Sequence, residues 1–267
     1  MRLATFFFTN QRQGLPLFSM KRSFLPILAL SATIAASNGV AVINWVTTNG
    51  DAGFTAGSAA TNSPVTTDAD GDAIVGSFSG VTLSEGETIT LTGSWSITGN
   101  TGLIPGNQIR WGLFDAPGTP ATGNGSGYVG VWAAASGSID SANGSTTNPF
   151  SGSASTTIAG GSGTLPSYGS TYNFLLAVTR VDATQISVSG SLEDAGSGSA
   201  LISWPETTGT PAGGSFTFDS VGILLGGTTN ATQATFSNVD ATVTAIPEPS
   251  ALLLGLVATL GLLRRRR

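Results

Sequence analysis

Carboxylates are the side chains in this chain whose types and spacing suggest chemistry, because its 267 residues include no histidine and no cysteine. That composition excludes imidazole bases, thiol nucleophiles, serine triads of the usual kind and most zinc sites. The densest acidic cluster is Asp68, Asp70 and Asp72, which alternate through Thr67-Asp68-Ala69-Asp70-Gly71-Asp72. Oxygen ligands at alternate positions around a glycine turn can wrap a hard cation, so calcium is one expectation and a solvated acidic turn the other. A helical calcium loop of the EF-hand type is excluded: it needs Glu at its twelfth position, and Ser79 stands there.

Two close carboxylate pairs, Glu85 with Glu87 and Glu193 with Asp194, raise the chemistry of glycoside hydrolysis, in which one carboxyl donates a proton and the other is base or nucleophile. Both pairs fall at strand ends. Glu85-Gly86-Glu87 precedes Thr88–Thr98, and Glu193-Asp194 follows Ile186–Leu192, so both read as solvated turn acids. No catalytic residue and no cofactor is assigned, and a secreted polysaccharide-active enzyme of the glycoside hydrolase type stands as the alternative function.

The five tryptophans invite a different chemistry, since aromatic faces pack against the apolar faces of sugar rings. Trp95 alternates in phase with Ile89, Leu91 and Ile97, and Trp111 with Ile109 and Leu113, which places both in a core. Tyr128, Trp132 and Trp204 remain the candidates for ligand contact. Arg110 would either hydrogen-bond a ligand or pair with a nearby acid.

The elements that must position these residues are strands. From Thr88 to Thr98 the odd positions read Ile89, Leu91, Gly93, Trp95 and Ile97 while the even ones are Thr or Ser, and Gln185–Leu192 repeats the pattern. Period two is useless to a helix and is the mark of a half-buried antiparallel strand. Further strands are predicted at 42–47, 73–79, 108–115, 127–134, 153–158, 171–181, 200–204, 214–218, 220–225 and 231–244, and no amphipathic helix is. Phe174-Leu175-Leu176-Ala177-Val178 is expected to be a central strand covered on both faces. About twelve strands without cysteine predict one all-β domain, a two-sheet antiparallel sandwich of the jelly-roll kind.

In strand order and texture, residues 42–245 resemble the concanavalin A-like lectin/glucanase sandwiches. The strings carrying this are Val81–Thr98, Ile109–Asp115, Phe218–Ile223 and Ala234–Asp240. The paired-acid strand motif of the glucanase members is not present, which argues against hydrolysis.

The two ends are of another kind. Lys21-Arg22 precede the apolar Phe24–Ala36, and small residues around Gly39-Val40-Ala41 offer a signal-peptidase site. Residues 1–41 are therefore read as an N-terminal extension and signal helix, with Met20 the expected true start and the mature N terminus expected between Ser37 and Ile43. At the other end, Pro247-Glu248-Pro249-Ser250 is followed by the uncharged Ala251–Leu263 and then Arg264, Arg265, Arg266 and Arg267. As a helix, those thirteen apolar residues span only ~20 Å, less than a hydrocarbon core of ~30 Å.

This tail, residues 246–267, closely resembles the PEP-CTERM sorting signal of Gram-negative bacteria, a sorting motif followed by a short transmembrane segment and a basic stop. The resemblance implies recognition by an exosortase, transient insertion in the inner membrane and release toward the cell surface, the extracellular matrix or its exopolysaccharide. The body between the two signals has Arg110 and Arg180 as its bases and a formal charge of −12, with no lysine. Nucleic acid is excluded as a partner, because neutralising phosphates requires clustered Lys and Arg. The expected partners are signal peptidase, exosortase and glycans, and the expected role is a noncatalytic structural or glycan-associating surface protein.

Overall fold

A computed structural model describes residues 37–40, 42–49, 65–67, 73–99, 109–116, 125–133, 136–143, 156–225 and 231–245. In chain order the strands are β1 (Ser37–Val40), β2 (Ile43–Asn49), β3 (Val65–Thr67), β4 (Ala73–Thr82), β5 (Glu87–Gly99), β6 (Ile109–Asp115) and β7 (Ser126–Ala133). They continue with β8 (Ser136–Asn143), β9 (Thr156–Ser162), β10 (Thr171–Arg180), β11 (Ile186–Asp194), β12 (Ala200–Gly209), β13 (Thr217–Leu225) and β14 (Ala231–Ala245). One sheet runs β1-β14-β5-β10-β11-β12, with β3 also on β14, and the other runs β2-β4-β13-β6-β7-β8-β9. Every pairing is antiparallel. The expected all-β, two-sheet sandwich is what these residues form. Among the described residues no helix is long and apolar enough to cross a membrane. The segments expected to form a signal helix and a hydrophobic tail helix lie outside them.

Period-two patterning decides which side of each sheet meets the other. On β5, Ile89, Leu91, Trp95 and Ile97 are buried, and the register sets the first three beside Val178, Leu176 and Tyr172 of β10. From the facing sheet, Ile109, Trp111 and Leu113 of β6 join the same cluster. Glycines make room for the large rings. A Cβ on Gly130 would lie 2.6 Å from the Trp111 ring, one on Gly93 2.4 Å from Phe174, and one on Gly137 2.6 Å from Trp204. The rings meet at tilted angles, with centroids 5.7 Å apart for Trp111 and Phe174 and 6.0 Å for Trp111 and Trp204.

Two expectations change. β10 is central in its sheet, but Leu175 and Ala177 on its outer side are only half-buried. The strands buried on both faces are β6 and β7, whose outer side carries Phe114, Val129 and Val131 in a second apolar cluster with Ala116 just past β6. The predicted strands 214–218 and 220–225 are one strand, β13, which begins only at Thr217 and which the register shift between Phe218 and Ser220 bends rather than breaks. At that bulge Asp219 accepts the Ala116 N–H at 2.9 Å and the Ser220 hydroxyl at 2.8 Å. At the boundary, Ser37–Val40 forms strand β1 paired to β14.

Candidate functional site

The aromatic candidates belong to the core. Tyr128, Trp132 and Trp204 are 1%, 0% and 2% exposed, so no ring offers a face to a sugar, and the stacking expectation is corrected. The face that Tyr128 and Trp132 share is the inner one: their register partners on β6 are Leu113 and Ile109. Trp204 reaches across from the other sheet to lie over Gly137. The Tyr128 hydroxyl accepts the Ala212 N–H at 2.8 Å, tying down the 3-10 turn Ala212–Gly214, and burial pushes its pKa up to about 12.

Asp68, Asp70 and Asp72, together with Pro247, Glu248, Pro249, Ser250 and Arg264 to Arg267, lie outside the described residues. Among the described residues no three acidic groups come together to hold a metal.

The carboxylate pairs divide. Glu87 accepts the Ser84 N–H at 2.7 Å, closing the turn into β5. Asp194 accepts the backbone N–H groups of Ser197 and Gly196 and the Ser197 hydroxyl, and these bonds hold its pKa below the usual carboxylate range. Both are turn acids, as expected. Glu193 is different: it points to the outer side of β11, where Ser191 donates to it at 3.3 Å.

Burial lowers the pKa of Arg110, and the charge of Asp140 opposes that shift. Arg180 donates to the carbonyls of Leu83 at 2.8 Å and Asp182 at 3.3 Å, and its guanidinium sits 4.1 Å from the Phe216 ring centre. It latches one end of the sandwich.

A polar groove of about 310 Å³ crosses the outer face of the first sheet, lined by Thr92, Gly93, Ser94, Asn173, Phe174, Leu175, Ser191, Glu193 and Asn238. Strand register builds it. Ser237, Ser94, Asn173 and Glu193 form one row across β14, β5, β10 and β11, and Asp240, Thr92, Leu175 and Ser191 form the next. Three inter-strand steps give each row a length of ~14 Å. Ser94 and Ser237 are joined hydroxyl to hydroxyl at 2.9 Å. A bulge between Ser237 and Asp240 turns Asn238 into the groove, and its φ of 53° is the one positive value at a non-glycine among the described residues. Asparagine tolerates that left-handed conformation best of the side chains with a Cβ. Asn173 and Asn238 are exposed, and neither amide has a side-chain hydrogen bond to another described residue.

Two amides, a carboxylate, three hydroxyls and the half-buried Leu175 can recognise a neutral, hydroxyl-rich ligand: amides donate and accept, the carboxylate accepts bifurcated hydroxyl bonds, and Leu175 supplies an apolar step. They are poorly placed for hydrolysis. Glu193 and Asp240 stand three strands apart, ~14 Å between backbones, whereas a glycosidase pair needs roughly 5–9.5 Å between carboxyl groups. Asn173, Asn238 and Ser94 were not singled out from sequence. Their signal, polar residues in phase on strands whose other face is apolar, becomes a site only once register is known. A second cavity, about 360 Å³, lies by the turn that Tyr128 anchors and is lined by Ser141, Thr156, Thr157, Thr208 and Thr210 with Ile158, Pro211 and Ala212. It carries no charged group.

No protein-family model and no curated protein matches the sequence. Solved structures of similar shape include the basic winged bean lectin with Tn-antigen, at 10% identity and a TM-score of 0.48, covering 80% of this chain and 100% of the lectin. The winged bean acidic lectin complexed with methyl-α-D-galactose matches at 8% identity and 0.49, with the same coverage. Peanut lectin with a nine-residue peptide matches at 8% and 0.46, covering 79% of this chain and 98% of that one.

Proposed function

We propose that this chain is an exported surface or matrix protein, released by an exosortase, whose sandwich associates with glycan without catalysis. The observation that carries the binding part is the groove: a registered row of hydroxyl, amide and carboxylate groups beside an apolar step, on a sheet face the core does not use. The ligand is a neutral polysaccharide or oligosaccharide, because the body is strongly acidic and would repel an anionic one. Purified residues 37–246 screened on a glycan array should retain at least one neutral glycan. Asn173→Ala and Glu193→Gln should each weaken that binding about tenfold, ~1.4 kcal/mol, without moving the denaturation midpoint. Retention of no glycan and no matrix extract would leave a purely structural protein, while oligosaccharide release abolished by Glu193→Gln would make it a hydrolase.

What supports the sorting part is the order of Pro247-Glu248-Pro249, a span too short for a permanent anchor, and four terminal arginines. Mass spectrometry of the mature protein should show the loss of Ala251–Arg267. Deleting Arg264–Arg267 should leave the precursor in the inner membrane, and an intact Arg267 on the wild-type surface protein would reduce the tail to an ordinary anchor.

A further inference from the structure

We infer that the leader is cut at or before Ser37, so that Asn38–Val40 stays in the mature sandwich as an edge strand on the last residues of β14. This rests on the export reading above and fixes where processing must stop. Residues Ser37 to Val40 pair with Thr244 to Ala241, and β3 covers β14 farther along, at Ala234–Phe236. Val40 is half-buried and packs on the main core. The backbone at Gly39 lies against Asp240, whose carboxylate oxygen would be 3.6 Å from a Cβ there.

The alternative cut, after the small residues Gly39-Val40-Ala41, meets two physical objections. It would make Val42 the N-terminal residue, and Val42 is 0% exposed, with its side chain pressed onto Gly76 beside Trp45. The new α-ammonium would then have to leave water where the chain is fully packed, or pull Val42 out of the core. That cut would also strip the partner from Ala241–Thr244, opening a sheet edge on a protein meant to exist outside the cell. Upstream, Thr33 with Ala35 and Ala35 with Ser37 each supply the small-x-small pair that a signal peptidase reads. The pairing has a topological consequence: Ser37 stands opposite Thr244, three residues before Pro247, so both processing junctions leave from the same edge of the same strand pair.

Two measurements on the full chain expressed in an exporting host test this. N-terminal sequencing of the mature protein should begin at Ala36, Ser37 or Asn38. A start at Gly39 or later overturns the inference while leaving export intact, and a chain still carrying Phe24–Ala32 overturns the leader reading with it. Because the chain has no cysteine, the pair Gly39→Cys and Thr242→Cys gives an independent thiol count. Directly opposed strand positions, about 4.5–5.5 Å apart at Cα, accept a disulfide. No free thiol is expected after oxidation. One free thiol would mean that position 39 has been removed, and two that β1 is retained but unpaired; either result overturns the inference.

Discussion

Trp111→Ala is expected to lower the stability of the sandwich by about 3–5 kcal/mol, the range for emptying a fully packed aromatic site. The ring sits between the sheets, 1% exposed, against Phe174 and Trp204, and its indole N–H donates to the Leu175 carbonyl of the opposite sheet at 3.3 Å. Truncation therefore removes apolar contact and one hydrogen bond between the sheets. A domain of this size has about 5–15 kcal/mol in all, so the urea midpoint should fall by a large fraction. A loss under about 1 kcal/mol would show that the ring is not at the centre of the core. The comparison with Asn173→Ala separates stability from binding: the groove variant should lose ligand and keep its midpoint, and the tryptophan variant should do the reverse at temperatures where it remains folded.

Gly130→Ala is the second large effect, about 2–3 kcal/mol destabilising despite adding only a methyl group. Gly130 is the register partner of Trp111, and the new Cβ would meet the indole at 2.6 Å and 2.7 Å. A fused ring held between two sheets cannot move aside as the end of a flexible chain can. Only glycine lets it lie flat across the neighbouring strand. The check is a double-mutant cycle in urea. In the Trp111→Ala background the added methyl enters empty space, so Gly130→Ala should become neutral or mildly stabilising, a coupling of about 2 kcal/mol or more. Additive losses would mean that the backbone at Gly130, not the ring, sets the requirement.

How much was legible in the sequence follows from which residues carry a periodic signal. β5 and β11 alternate cleanly and could be read directly. β8 could not, because Ser136–Asn143 offers only Ile139 as a buried large apolar side chain, and its Gly137 is a space for Trp204 of the other sheet. β1 escaped for a related reason: four residues of mixed type next to the apolar Phe24–Ala36 read as processing site rather than as strand. Periodicity also put Tyr128 and Trp132 on one face without saying which face it was. An alternating strand whose two sides are both rich in apolar residues, as in Ser126–Ala133, has no polar side to mark the solvent, so core and binding surface look alike from sequence.

By itself the sequence determined the class of the fold, the absence of imidazole and thiol chemistry and the acidity of the body, because each depends on composition or local order alone. Tertiary structure decided everything that depends on register. It moved the aromatic candidates into the core and turned Asp194 into a loop brace while leaving Glu193 on an open face. It also assembled Ser94, Asn173, Glu193 and Asn238 from four strands into one groove. The physical reason is that side chains ~5 Å apart across a sheet lie tens of residues apart in the chain. Their proximity is set by backbone hydrogen bonds between strands, and those bonds carry no side-chain signature.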